Sequence, residues 1–326
     1  MRLATVGTSW ITDSFLDSYL SLENAVLQAV YSRKQERARF FAQKHGAHTW
    51  YDSLAQMAAD ANIDAVYIAS PNALHEEQAA LFLQNGKHVL CEKPMAMTQK
   101  GMERLYALAD REKRVYCEAI MALHNPDLPL VQSALRRLGK IRSASLDFSQ
   151  LSSKYPAFLR GERPNIFLRE LGGGCLMDLG IYNVYLAYLL FGQPDFISAE
   201  SVFLPNRLAD ACGAALLQYS DKIVTLTYSK TAQSRIPSQI LGDGGALTIE
   251  SVSQLGEVIL IDSEGQRQTL CRPRTRKELM AFEALDFMRY TEGGYLYAPY
   301  DQARKAALAV SGIMEKIRHS ARGFGF

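Results

Sequence analysis

The sequence predicts an α/β protein: an N-terminal doubly wound parallel sheet, followed by an α/β domain whose open sheet is largely antiparallel. Three observations predict it. The first third alternates short apolar runs with helix-forming stretches through short connections, the pattern of βαβ units. The remainder brings strand-like runs close together across tight turns, which suits antiparallel pairing. The 326 residues, 48% hydrophobic and 21% charged, match an ordinary globular chain and exclude collagen-like, coiled-coil and disordered classes. A chain of this length supports about two hydrophobic cores.

The elements follow in order. Residues 3–6 form a short apolar run ending at Gly7, with a helical pattern over 12–22. Residues 26–31 read as a second strand before a charged helix over 34–45. The run 65–69 ends at the turn signal Ser70-Pro71-Asn72; a helix over 75–84 then stops at Asn85-Gly86. Strand 88–91, helix 100–112 and strand 115–117 complete a domain placed at residues 1–118. In the remainder, 119–326, strands are predicted at 143–148, 214–219, 223–228, 246–249 and 258–261. Ser220-Asp221 and Asp243-Gly244-Gly245 are the turns, and helices are predicted at 175–191, 278–290 and 303–317.

Charge and cysteine usage narrow the function classes. With 36 Lys+Arg against 34 Asp+Glu, the net charge of +2 gives no electrostatic case for nucleic acid. Cys91, Cys117, Cys175, Cys212 and Cys271 are odd in number and lack a C-x-x-C pair, which points to a reducing, cytoplasmic setting. The start of the chain reaches Gly7 too early for a signal peptide's apolar core. The most apolar run, 181–191, falls far short of the ~20 residues of a membrane span. His45, His48, His88 and His319 lack metal-ligand spacing, so no metal is expected.

A doubly wound sheet binds ligands at the carboxyl ends of its strands. There the sequence reads Gly7-Thr8-Ser9-Trp10-Ile11-Thr12, with only the first glycine of G-x-G-x-x-G. The strand before it and the helix after it make the segment a dinucleotide phosphate loop, with the Ser9 or Thr12 hydroxyl as a further donor. After the second strand an Asp or Glu would hold the ribose 2′-hydroxyl of NAD. This chain has Ser32, Arg33 and Lys34, with Arg37 one turn on. A serine and guanidinium fork receive a 2′-phosphate, so NADP is expected over NAD.

The chemistry-bearing stretch is Gly86-Lys87-His88-Val89-Leu90-Cys91-Glu92-Lys93-Pro94. A lysine between a strand and a proline is held firmly, because proline restricts the residue before it. Together with Gly172-Gly173-Gly174-x-Leu176-x-Asp178-x-Gly180-x-Tyr182 and Ser70-Pro71-Asn72-x-x-His75, it resembles the Gfo/Idh/MocA family of NAD(P)-dependent oxidoreductases. The resemblance covers nearly the whole chain and is closest to the dimeric dihydrodiol dehydrogenase and glucose–fructose oxidoreductase branch. It implies a Rossmann domain and catalytic roles for Lys93, Asp178 and Tyr182, with a cis Lys93–Pro94 bond. It further implies that Ser70, Pro71, Asn72, His75, Glu92 and Lys93 line the cofactor beside Gly7, Thr8, Ser9, Trp10, Ile11, Ser32, Arg33 and Arg37.

On a helix, Asp178 and Tyr182 face one way. The glycines before them leave room for a ligand and expose backbone N–H groups. Lys93 beside an oxidised nicotinamide is expected to have a lowered pKa and to exchange a proton with the substrate oxygen; Tyr182 is the competing acid/base. The expected reaction moves a hydride between NADP and a secondary alcohol or carbonyl of a sugar, polyol or cyclic diol. The alternative is a catalytically silent NAD(P)-binding sensor on the same fold. Leu123 stands where this branch commonly carries Arg, which bears on substrate class. Asn165, Phe167 and Arg169 read as surface-loop residues, and 272–277 as a solvated basic loop. The open antiparallel sheet needs a cover, and the family implies a homodimer or larger homo-oligomer.

Overall fold

A computed structural model describes residues 1–321. The chain divides into two compact units, Met1–Ile120 with Thr275–Leu308, and Met121–Arg274 with the residues from Ala309 onward.

The first unit carries strands β1 (Arg2–Val6), β2 (Val26–Tyr31), β3 (Thr49–Tyr51), β4 (Ala65–Ile68), β5 (His88–Glu92) and β6 (Tyr116–Ala119). They pair in parallel in the order β3-β2-β1-β4-β5-β6. Helices α1 (Trp10–Tyr19), α2 (Gln35–His45), α3 (Leu54–Ala59), α4 (His75–Gln84) and α5 (Gln99–Arg111) connect them. Five of the six strands were legible because a parallel strand covered on both faces reads as a continuous apolar run, and every residue of β4 is buried. β3 and α3 were not predicted. β3 has only three half-buried residues, and α3 has six, started by a Ser53 side-chain cap on the Gln56 N–H. The strand order reverses between β1 and β4, so their carboxyl ends open the crevice where such sheets take ligands.

The second unit carries β7 (Ile141–Ser149), β8 (Phe196–Phe203), β9 (Asp210–Gln218), β10 (Ile223–Ser229), β11 (Ser238–Gly242), β12 (Gly245–Ser251), β13 (Leu255–Asp262) and β14 (Arg267–Cys271). Their order is β14-β13-β12-β11-β7-β10-β9-β8, antiparallel except for the β7–β10 pair. β8, β11 and β14 were missed. The five residues of β14 are mostly polar, and β11 is short and follows Pro237. Helices α6 (Leu128–Ala134) and α7 (Tyr155–Leu159) precede a π-helical turn, Leu176–Gly180, that runs into α8 (Ile181–Phe191). α8 is a core helix here: Val184, Tyr185, Leu186 and Ala187 are fully buried.

Two helices close the chain, α9 (Arg276–Gly293) and α10 (Ala298–Ser320). α9 begins with a capping box between Thr275 and Glu278 and packs on α1. The Tyr300 hydroxyl accepts from the Tyr116 N–H (3.0 Å) and donates to the Tyr116 carbonyl (3.1 Å). Arg304 makes a bidentate pair with Asp110 at 2.7 and 2.8 Å. These contacts place 275–308 with the parallel sheet, so the division at 118/119 gave the second domain a segment that returns to the first. The return rests on partners far apart in sequence, which local pattern does not reveal.

Candidate active site

At the end of β1, Gly7 adopts φ +112°, and a Cβ there would lie 2.6 Å from the Ala69 carbonyl oxygen. The glycine is required because the chain leaving β4 passes this close. Ser9 then occupies the N-cap of α1 in extended conformation without a side-chain cap. The first turn of α1 therefore keeps donors available to an anion. Thr12 does not join them: it is fully buried, and its hydroxyl has no partner among the described residues. Across the crevice, the Arg37 Nη2 donates to the Thr8 carbonyl at 2.9 Å. Ser32 follows β2, and its Oγ accepts from the Lys34 N–H at 3.4 Å. Arg33, Lys34 and Arg37 are exposed around the start of α2, where positive charge opposes the helix dipole. An uncapped helix start beside a cluster of exposed cations fits the phosphates of NADP.

Lys93 sits at the end of β5, half-buried, and Lys93–Pro94 is cis. The segment around it is tied from every side within the first unit. The Met95 N–H donates to the Glu118 carboxylate (2.8 Å), and the Tyr116 hydroxyl donates to the Met95 carbonyl (2.7 Å). The Tyr67 hydroxyl donates to Glu92 at 2.5 Å, and the Tyr67 ring stacks on Phe15. His75 places Nδ1 2.9 Å from the Pro94 carbonyl and Nε2 2.9 Å from the Ser70 carbonyl. Burial lowers the His75 pKa against the pull of these carbonyls, with Lys93 lowering it further. With no exposed surface, His75 ties the Ser70 turn to Pro94. Ser70, Pro71 and Asn72 remain half-buried after β4, and the Ser70 hydroxyl donates to the Gln78 side chain at 2.7 Å.

The glycine run lies in the second unit and does something other than expected. The N–H groups of Gly172, Gly173 and Gly174 donate to the carbonyls of Arg169, Leu168 and Ile166 at 2.9–3.0 Å, so they are not held out for a ligand. A Cβ on Gly173 would lie 2.8 Å from the Asn165 carbonyl, and one on Gly174 2.1 Å from Asp210 Oδ1. Asp210 is buried and accepts from the Leu176 N–H at 2.7 Å. Burial raises its pKa, opposed by those backbone donors and by Lys230. Gly180 lets the Tyr228 ring approach, since a Cβ would lie 3.1 Å from it. The three-glycine signature thus packs the start of the Asp178–Tyr182 segment against β9 and β10.

Asp178 stands in the π-helical turn, and Tyr182 in the first turn of α8, its ring edge-on to Phe148 (5.5 Å). Asp178 pairs with Lys230, just past β10, at 2.7 Å; that side chain is 2% exposed against 36% for Asp178. The Lys230 ammonium also lies 3.4 Å from the Ile166 carbonyl and 5.6 Å from the Phe167 ring centroid. Lys230 was missed in the sequence; its signal was a lysine separated by Ser229 alone from the strand run at 223–228. Phe167, which reads from the sequence as a surface-loop residue, is fully buried against Tyr155 and Phe158, whereas Asn165 and Arg169 are exposed. Nor is the basic run a solvated loop throughout: Arg274 pairs bidentately with Asp127 at 2.9 Å.

Comparison with known proteins gives this geometry its context. Residues 1–119 match the model of an oxidoreductase family with an NAD-binding Rossmann fold, and residues 133–248 match the GFO/IDH/MocA C-terminal domain. The chain is 37% identical to scyllo-inositol 2-dehydrogenase (NADP(+)) IolU of Bacillus subtilis over 98% of its length and 96% of that protein's. The chain belongs to the Gfo/Idh/MocA oxidoreductase family. It is also 29% identical to trans-1,2-dihydrobenzene-1,2-diol dehydrogenase of Xenopus tropicalis, over 77% of this chain and 74% of that one. Among solved structures, KijD10, a 3-ketoreductase from Actinomadura kijaniata in complex with NADP and TDP-benzene, superposes with a TM-score of 0.88. It covers 99% of this chain and 98% of its own, at 24% identity, and shows the shared fold.

Proposed function

We propose that this oxidoreductase is NADP(H)-dependent and moves a hydride between the nicotinamide and a secondary alcohol or carbonyl of a cyclic polyol, sugar or cyclic diol. The observation that carries the cofactor choice is Arg37 bonded to the phosphate loop at Thr8, with Ser32 where a carboxylate would select NAD. The substrate class is supported by 37% identity to an NADP-dependent scyllo-inositol dehydrogenase over almost the whole chain. When bound, NADP supplies the hydride acceptor or donor.

In this reading, which rests on the family's motifs, Lys93, Asp178 and Tyr182 are the catalytic residues. Lys93 exchanges a proton with the substrate oxygen, from a backbone fixed by His75, Glu118 and Tyr116. Tyr182 donates a hydrogen bond to a substrate oxygen. Asp178 accepts from a neighbouring substrate hydroxyl while Lys230 holds its carboxylate in place. Ser32, Arg33 and Arg37 receive the 2′-phosphate, and Gly7 to Ile11 receive the diphosphate.

A homo-oligomer is part of the same proposal. Phe196, Gln218, Ile223, Ser143 and Leu241 are register partners across five strands, so they share one sheet face. Phe196, Ile223 and Leu241 are 61%, 46% and 42% exposed on it, an apolar row that a second copy would cover. A cytoplasmic setting is supported by five free cysteines. The test is a spectrophotometric panel of inositols, aldoses and cyclic diols with NADP and NAD. Turnover of a cyclic polyol with NADP is expected; activity with NAD alone, or with no hydroxyl substrate, would overturn the reading.

A further inference from the structure

Trp10 opens α1 with 65% of its surface exposed, directly after the loop that replaces the second glycine of the fingerprint with Ser9. Over its ring, 5.4 Å from the centroid, stands the guanidinium carbon of Arg276, the first residue of α9. The Thr275–Glu278 capping box fixes where α9 begins, so the backbone delivering Arg276 is well defined. Arg276 is half-buried, yet among the described residues it makes no hydrogen bond and no ion pair. Five N–H donors are left for another partner, and the face of Trp10 orients the fork. The one acidic residue in the first turn of α1, Asp13, is engaged by Lys44 (2.7 Å) and His45 (2.6 Å), which offsets its negative field at the helix start. The site therefore combines an uncapped helix N-terminus, a neutralised carboxylate and an unspent guanidinium.

We propose that Arg276 is a diphosphate-binding residue of the dinucleotide site, supplying from the C-terminal helix α9 the attraction that the incomplete glycine fingerprint lacks. This rests on the reading of the first unit as an NADP site, and it gives a separate job to each arginine. Arg37 serves the 2′-phosphate and Arg276 the diphosphate, with Trp10 as the platform beneath the fork. A guanidinium meets two diphosphate oxygens bidentately, which an ammonium cannot.

The test is equilibrium titration of the full chain with NADPH, NADH, ADP and 2′-AMP, followed by nicotinamide fluorescence or calorimetry. Arg276→Met keeps the stem and removes the fork. It is expected to weaken NADPH, NADH and ADP alike by roughly 10- to 100-fold, and to leave 2′-AMP within about twofold. Arg276→Lys should recover only part of the loss. Unchanged nucleotide affinity with a lowered melting temperature would overturn the proposal, making the pair a staple between α9 and α1. A loss confined to the 2′-phosphate ligands would overturn it as well. Wild-type protein that binds none of the four would instead overturn the cofactor reading beneath it. Should Arg276→Met fail to fold, Trp50→Phe leaves Trp10 as the only tryptophan of the two. ADP is then expected to shift Trp10 emission while 2′-AMP does not, and an emission indifferent to ADP contradicts the proposal.

Discussion

Asp178→Asn should destabilise the protein more than loss of its partner, Lys230→Met, although both break the same ion pair. The ammonium of Lys230 is sealed at 2% exposure, 2.7 Å from Asp178, while 36% of the Asp178 side chain meets solvent. Breaking a buried pair by removing one partner costs about 3–5 kcal/mol when the other is stranded. Here the exposed carboxylate screens the pair and lowers the figure. An asparagine oxygen can still accept one hydrogen bond, and the Phe167 ring face retains some attraction for the cation. Asp178→Asn therefore costs about 2 kcal/mol, whereas Lys230→Met leaves a carboxylate that water can reach and costs about 1 kcal/mol. The double variant also costs about 1 kcal/mol, giving a coupling of about 2 kcal/mol across the cycle. Thermal unfolding followed by circular dichroism should show a drop of about 4–8 °C for Asp178→Asn, partly restored by adding Lys230→Met. A coupling below about 0.5 kcal/mol, or a larger loss in Lys230→Met, would refute the reasoning.

Three further outcomes follow from other parts of the fold. Arg37→Ala is expected to weaken NADPH by roughly 10- to 100-fold while leaving NADH within about twofold, read by fluorescence titration; equal losses would remove Arg37 from the 2′-phosphate. Burial, with Glu92 nearby, pushes the Glu283 carboxyl well above its ordinary range, and its Oε1 has no hydrogen-bond partner among the described residues. A carboxyl raised in the folded state contributes stability below its unfolded pKa and loses it as pH rises. Glu283→Gln should thus melt increasingly above wild type as pH goes from acid to alkaline, and a pH-independent gap would contradict this. His88 is lowered from 6.5 to about 4 by burial and by Arg114, and its Nδ1 accepts from the Val115 N–H at 3.0 Å. The unfolded chain binds the proton first, so stability should fall by ~3 kcal/mol as pH drops through that window, with His88→Gln flattening the slope in denaturant titrations.

Much of this was legible in the sequence, and the limits have physical causes. The β1–α1 and β5–Lys93–Pro94 segments announce themselves because their signals are local: an apolar run, then a glycine or a proline. Gly7 reads from the sequence as a tight turn beneath a diphosphate; what requires a glycine there in the fold is the Ala69 carbonyl, a neighbour known only once β4 lies beside β1. The glycines before Asp178 were noticed for the wrong reason; they admit Asn165 and Asp210, and their N–H groups are spent on the preceding loop. His75 matched a motif, and the fold shows that motif position tying Pro94 to Ser70. The roles of Lys230, Tyr300 and Arg276, the last read only as part of a solvated basic run, were not legible because each acts on a residue far away in the chain, and no periodicity carries that information.

The central claim is that Lys93 exchanges the proton in an NADP-linked oxidation of a secondary alcohol. The most direct measurement is single-turnover absorbance of NADPH formation with a cyclic polyol, comparing wild type with Lys93→Met across pH. The account predicts that the variant binds NADP with affinity close to wild type but reduces it at least ~100-fold more slowly, and without the wild-type pH dependence. A variant that turns over at the wild-type rate with an unchanged pH profile would contradict it.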